Sequence, residues 1–306
     1  MNKSSKAHIG LLVLILLFVF SCQKKQEANT DTIIEGKATI YVDESVFPII
    51  EDEQAVFETE YKAKLYLVSQ SENEIVNALL MDSAKIAVLT RELSAQEIKA
   101  FKAKKIYPRT TPFAIDAVAF IRNKTAKDTL MVMSDVVDFV NGKTFPNIKG
   151  LVFDNANSST VRYLSKVLGI SFVNQKNIFS LKTNEQVIKY MANNVGMVGI
   201  IGINWIFQPP LELQEFVDKV DVLSVQDKNK LEYFFPTQDN LAMGKYPLAR
   251  RLYIINCQGY SGLGMGFASF LGGERGQRII LKSGLVPERT PSRKIMIRNT
   301  ITKDKN

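Results

Sequence analysis

The chain has 306 residues, 46% hydrophobic and 23% charged, with a formal net charge of +8, a composition that supports one large core or two modest ones. Its single histidine is His8 and its two cysteines are Cys22 and Cys257, so beyond the first residues no chemistry that uses His as base, nucleophile partner or metal ligand is available. The basic residues are scattered except in PSRKIMIRNTITKDKN at the C-terminal end, which reads as a solvated tail and not as a stripe for nucleic acid.

In chain order, Lys3 and Lys6 precede the apolar run IGLLVLILLFVF, which leads into Ser21 and Cys22. The run is too short to span a membrane and ends as a secretory signal ends. Residues 1–21 are therefore expected to be removed, and QKKQEANTDTIIEGK, polar and without periodicity, is expected to form a flexible tether over residues 22–36.

From there short β-branched runs alternate with amphipathic stretches. ATIYV reads as a strand, after which Ile49, Ile50, Val56, Phe57 and Tyr61 fall on one helix face. LYLV is a second strand, followed by Ser71 and Glu74 at capping-box spacing, and IAVLT is a third, followed by Ser94 and Glu97 at the same spacing. FAIDAVAFI (113–121), with Asp116 inside it, is too apolar for a surface strand and is expected to cross between lobes. Then come a helix around DVVDFVNG, a strand LVF, a helix from Thr160 to Leu168 stopped by Gly169, a helix opened by Thr183 and Gln186, and the strand MVGII. LARRLYIINC (248–257) is a second long apolar run, and a helical region from about Gly266 to Ser283 ends at Gly284.

The pattern predicts an α/β protein of two lobes joined by two hinge strands, lobe 1 being residues 37–116 and 248–300 and lobe 2 the inserted residues 117–247. A cleft between hinged lobes is a common ligand site. Hydroxyl residues open helices directly after strands at Ser45, at Ser71, and at Ser158, Ser159 and Thr160, while Thr90 and Arg91 end another strand. Helix starts present unpaired N–H groups, so several of them gathered together cage a tetrahedral oxyanion. The stretch GYSGLGMGFASFLGG imitates a dinucleotide fingerprint but has the wrong glycine spacing. It reads as a close-packed loop and a small-residue helix face, with no cofactor. Cys257, in LYIINC, reads as a buried structural thiol.

VFSC resembles the lipobox of bacterial lipoproteins, which makes Cys22 the acylated residue, leaves no intrachain disulfide and places the protein outside the cytoplasm on a membrane. From about Thr39 to Pro287 the chain resembles the phosphate-binding subunit of phosphate ABC transporters, within the two-lobed (type II) periplasmic binding proteins. The match runs through YVDESVFP, SENEIVNALL, IAVLTRELSAQE, FAIDAVAFIRN, DFVNGK, NSSTVRYL, NNVGMVGIIG, YPLARRLYI and GQRIILKSGLVP.

The resemblance implies phosphate loops at Ser45 and Val46, at Ser71, at Thr90 and Arg91, and at Ser158, Ser159 and Thr160. Asp154 stands where the family often has Arg, and Ser159 where its loop has glycine. The implied charge scheme has Arg91 pairing with the anion while Asp154 accepts a hydrogen bond from a protonated oxygen. A monomeric carrier that passes phosphate or a related oxyanion to a membrane permease is expected, and no enzyme. The alternative is a lipoprotein adaptor or sensor of the same fold that has lost the anion and docks to a membrane complex.

Overall fold

The computed structural model describes residues 31–172, 175–227 and 231–291. The leader, Cys22, the first part of the tether and the tail beyond Pro291 lie outside them. Strand β1 (Glu35–Asp43) runs into a 3-10 turn, Glu44–Val46, and helix α1 (Phe47–Glu60). Pro48 sits in the first turn of α1, where its missing N–H costs nothing, and Ile49, Ile50 and Phe57 are fully buried. β2 (Lys62–Gln70), α2 (Glu72–Leu80), β3 (Ile86–Leu89) and α3 (Ala95–Ala103) follow.

Both capping boxes form. Glu74 accepts from the backbone N–H and the hydroxyl of Ser71 at 3.0 and 2.6 Å, and Ser94 and Glu97 cap each other reciprocally at 3.2 and 2.6 Å.

β4 (Arg109–Asn123) is the long strand expected from the apolar run, and it serves two sets of partners. Residues 109–117 pair with β12 (Ala249–Asn256), while Val118 to Ile121 pair with β8 (Met197–Gly202) and Ile121 to Asn123 with β9 (Val220–Val222). Between them the chain builds β5 (Leu130–Val132), α4 (Met133–Val140), β6 (Gly150–Phe153), α5 (Ser159–Leu168), β7 (Ile178–Ser180) and α6 (Asn184–Asn193). Short helices α7 (Asn204–Phe207), α8 (Gln214–Val217) and α9 (Gln238–Ala242) and strands β10 (Ser224–Gln226) and β11 (Tyr233–Phe234) precede β12. The sheet order is β2-β1-β3-β12-β4-β8-β6-β7, with β1, β2 and β3 parallel in one half and β6, β7 and β8 parallel in the other. The ends of β1 and β6 therefore carry strand-to-helix turns in each half, where open α/β sheets place ligands.

Two expectations change. The helical region near the C-terminal end is two helices, α10 (Leu263–Leu271) and α11 (Glu274–Lys282), separated by Gly272 and Gly273, before β13 (Val286–Pro287) pairs with β4. Gly276 lets the second helix pack closely against the end of the first, since a Cβ there would stand 2.4 Å from the Phe270 carbonyl oxygen.

The segment expected as tether through residue 36 also joins the body from Asp31 onward. Asp31 is buried and accepts hydrogen bonds from the Tyr260 hydroxyl and the Leu263 N–H, both at 2.6 Å. Gly266 makes room for it, since a Cβ at that position would lie 1.7 Å from the carbonyl oxygen of Ile33. The glycine-rich stretch is thus a close-packed helix face, as expected. Among the described residues no helix is long and apolar enough to cross a membrane.

Candidate functional site

The strand-to-helix turns of the two halves meet on one carboxylate. Asp43, the last residue of β1, is 1% exposed, and its Oδ1 accepts hydrogen bonds from the Ser45 N–H (3.0 Å), the Ser45 hydroxyl (2.6 Å) and the Ser159 hydroxyl (3.0 Å). Ser45 follows β1 and Ser159 opens α5, so the two hydroxyls come from opposite halves, and their oxygens are 3.0 Å apart.

Arg250, on β12, reaches both. Its Nη1 donates to Ser159 at 3.1 Å and its Nη2 to Ser45 at 2.9 Å. Its Nε and Nη2 also bind Asp116 Oδ2 at 3.0 and 2.9 Å, a fully buried pair between the two long apolar strands. Asn204 adds a further bond across the halves, its amide donating to the Ser45 carbonyl at 2.7 Å.

A second group of carboxylates lies beside this cluster. Asp154 accepts from the Ser158 hydroxyl at 2.7 Å and from the Asn184 amide at 3.3 Å. The Asn184 amide also donates to Glu44, which accepts the Asn184 backbone N–H at 2.8 Å as well. Burial pushes the Glu44 carboxyl up to about 8, with the nearby Asp154 charge adding to the shift. Burial likewise raises Asp154. Asp43 is pushed up to about 6 by burial, against the pull of Arg250. A cavity of about 270 Å³ opens among Asp43, Glu44, Ser71, Glu74, Asp154 and Ser158, with Lys182 at its edge. A larger open groove of about 770 Å³, lined by Ile33, Tyr61, Met265 and Phe270, shares none of these residues.

Of the residues singled out in the sequence, Ser45 and Ser159 touch each other, while Ser71, Asp154 and Ser158 border one cavity. The hydroxyls of Thr90 and Thr160 are buried and have no hydrogen-bond partner. Val46 is fully buried and supplies core packing.

Arg91 sits differently from the implied scheme: its Nε binds Glu72 at 2.6 Å and its Nη1 and Nη2 bind Glu97 at 2.8 and 2.9 Å. Two carboxylates already hold this guanidinium, Glu97 first among them in raising its pKa. The guanidinium at the hydroxyl cluster is Arg250. Glu72, itself buried, also takes Arg162 of α5 at 2.6 Å, an ion pair between the halves. Cys22 lies outside the described residues, and Cys257 is buried with its thiol pushed up to about 11.

The turns of the two halves are thus tied together by direct hydrogen bonds. A family model described as the PBP superfamily domain matches residues 26–275, most of the chain. The chain belongs to the PBP superfamily. It is accordingly a binding protein of the periplasmic-binding-protein type and not an enzyme.

The fold of this PBP domain is similar to that of a protein of Clostridium perfringens described as a phosphate ABC transporter substrate-binding protein with bound phosphate, at TM-score 0.68 and 18% identity over 83% of this chain and 100% of that one. It is also similar to an ABC-type phosphate transport receptor of Vibrio cholerae, at TM-score 0.60 and 18% identity over 82% of this chain and 100% of that one. The regulatory domain of OxyR2 from Vibrio vulnificus shares the fold at TM-score 0.53 and 11% identity, over 78% of this chain and 96% of that one. No curated protein matches the chain.

Sequence reasoning missed Asp43, Glu44, Asn184 and Arg250. A partial signal existed for Arg250: one long apolar run carries Asp116 and the other Arg250 and Arg251, and buried charges come in pairs, though only the structure shows that Arg250 and not Arg251 is the buried partner.

Proposed function

We propose that this chain is an extracytoplasmic solute-binding lipoprotein that captures phosphate or a similar tetrahedral oxyanion between its two lobes and delivers it to an ABC-type permease. The observation that carries this reading is the set of donors gathered on Asp43 Oδ1: two hydroxyls from opposite halves, a backbone N–H, and a guanidinium behind them. An oxygen anion is what such donors stabilise. The leader and Cys22 supply export and the anchor, and the two phosphate-named structures of the same fold support the ligand class.

Titration calorimetry tests it. Phosphate is expected to bind, and Ser159→Ala is expected to weaken it by about tenfold or more, the value of one hydrogen bond to a charged group. Absence of binding heat together with an unmoved melting temperature in phosphate, sulfate, arsenate and molybdate would remove the reading, because a ligand of the native state alone must raise stability.

A second reading, an adaptor or sensor that docks to a membrane complex without an anion, is favoured by the carboxylates of Asp43, Glu44 and Asp154 around the cleft. The same panel separates the two.

A further inference from the structure

We propose that Asp43 is the resident anion of the cleft: its carboxylate occupies the seat that a solute oxyanion takes, so a ligand binds only by displacing it, and Asp43 sets the affinity of the site. This rests on the oxyanion reading above. Each serine hydroxyl has one proton to donate. The Ser45 proton points to Asp43 Oδ1 at 2.6 Å and the Ser159 proton has the same oxygen at 3.0 Å.

Both hydroxyls are acceptors toward Arg250, whose charge is already opposed by Asp116. With Asp43 in place, neither hydroxyl has a proton left for a solute, and a second anion beside the first is repelled. The same bonds join the halves, since Ser45 and Asp43 belong to one and Ser159 to the other. Asp43 therefore does part of what a ligand does in a binding protein, tying the halves together beside the Glu72–Arg162 ion pair and the Glu44–Asn184 bonds.

The seat is also one that Asp43 can leave. Its Oδ2 is buried and makes no hydrogen bond, and the residue borders the 270 Å³ cavity, which gives the side chain somewhere to swing. The carboxyl, at about 6, is an anion at neutral pH. Nothing about local secondary structure requires an acid here. The turn it precedes is capped through Ser45 N, which an Asn side chain accepts equally well.

The test is titration of inorganic phosphate into the full-length protein, purified in detergent, and into D43N and D43A. D43A is expected to bind phosphate at least tenfold more tightly than the parent, or to bind it where the parent does not, and D43N, which loses the charge but keeps an acceptor oxygen for the two serines, is expected to fall between them. Equal or weaker binding by both, with the parent binding, overturns the proposal and leaves the oxyanion reading standing. If none of the three binds, the oxyanion reading fails and this proposal with it.

Small-angle scattering covers the case in which one variant folds poorly. The ligand-free parent is expected to be as compact as the phosphate-loaded parent, whereas D43A is expected to be expanded until phosphate is added. A ligand-free parent that contracts with phosphate as far as D43A does would refute the inference independently of affinity.

Discussion

Glu53 sits in the middle of the apolar face of α1, fully buried between Ile49, Ile50 and Phe57 along the helix, and neither of its carboxylate oxygens has a hydrogen-bond partner. A charge there has nothing to compensate it, so the group keeps its proton. Burial, with a smaller push from Asp52, raises its pKa from 4.5 to about 9.

The sign of the stability effect follows from proton counting. Between the unfolded value of 4.5 and the folded value near 9 the native state holds a proton that the unfolded chain has lost, so stability falls as pH rises through that window and is flat outside it. Each pH unit is worth about 1.4 kcal/mol, and at about pH 7.5 the three units above 4.5 amount to about 4 kcal/mol.

Glu53→Gln keeps the shape and removes the titration. Urea unfolding at a series of pH values, extrapolated to water, is the assay. The variant is expected to gain on the parent by about 1.4 kcal/mol per unit between roughly pH 5.5 and 8.5. Other buried acids such as Glu44 and Asp43 contribute slopes common to both proteins, which cancel in the difference. Parallel stability profiles for the two proteins would show that Glu53 is compensated in the native state and would refute the reasoning.

Arg250→Met leaves Asp116 buried without its cation and is expected to destabilise by about 3–5 kcal/mol, with much of the loss restored by adding Asp116→Asn, both read from urea midpoints. Gly266→Ala sets a methyl group against the Ile33 carbonyl and is expected to cost about 1–3 kcal/mol and to free the segment from Asp31 to Ile34, seen as new protease cleavage there.

The local features of the fold were the legible ones. The face of α1, the two capping boxes and the helix stop at Gly169, at positive φ, are written within a few residues of where they act. The apolar run 113–121 was recognisable as a long strand, and it is the one that pairs in both halves, whereas β12 pairs only with β3 and the first part of β4. What escaped was set by distant contacts. Asp31 reads as part of a polar tether, yet Tyr260 and Leu263, more than two hundred residues later, fix it. The break inside the stretch from Gly266 to Ser283, by contrast, falls at the adjacent glycines Gly272 and Gly273, a local signal that the reading of one helical region passed over.

The site divides along the same line. Hydroxyls at helix starts are placed by capping rules, so Ser45 and Ser158 to Thr160 were visible one turn at a time. The acids around them were not, because Asp43 and Glu44 in YVDES have the look of a solvated turn after a strand. Their burial comes from α5 and α6 of the other half, through Ser159 and Asn184. Charge in this cleft is therefore a property of closure. Separating the halves would return Asp43 and Glu44 to water, where both carboxyls revert toward ordinary values, while Arg250 would keep Asp116, since β12 and β4 are neighbours in one sheet. The donors that remain on an opened cleft, Ser45, Ser159 and a tethered guanidinium, are those that suit an incoming anion.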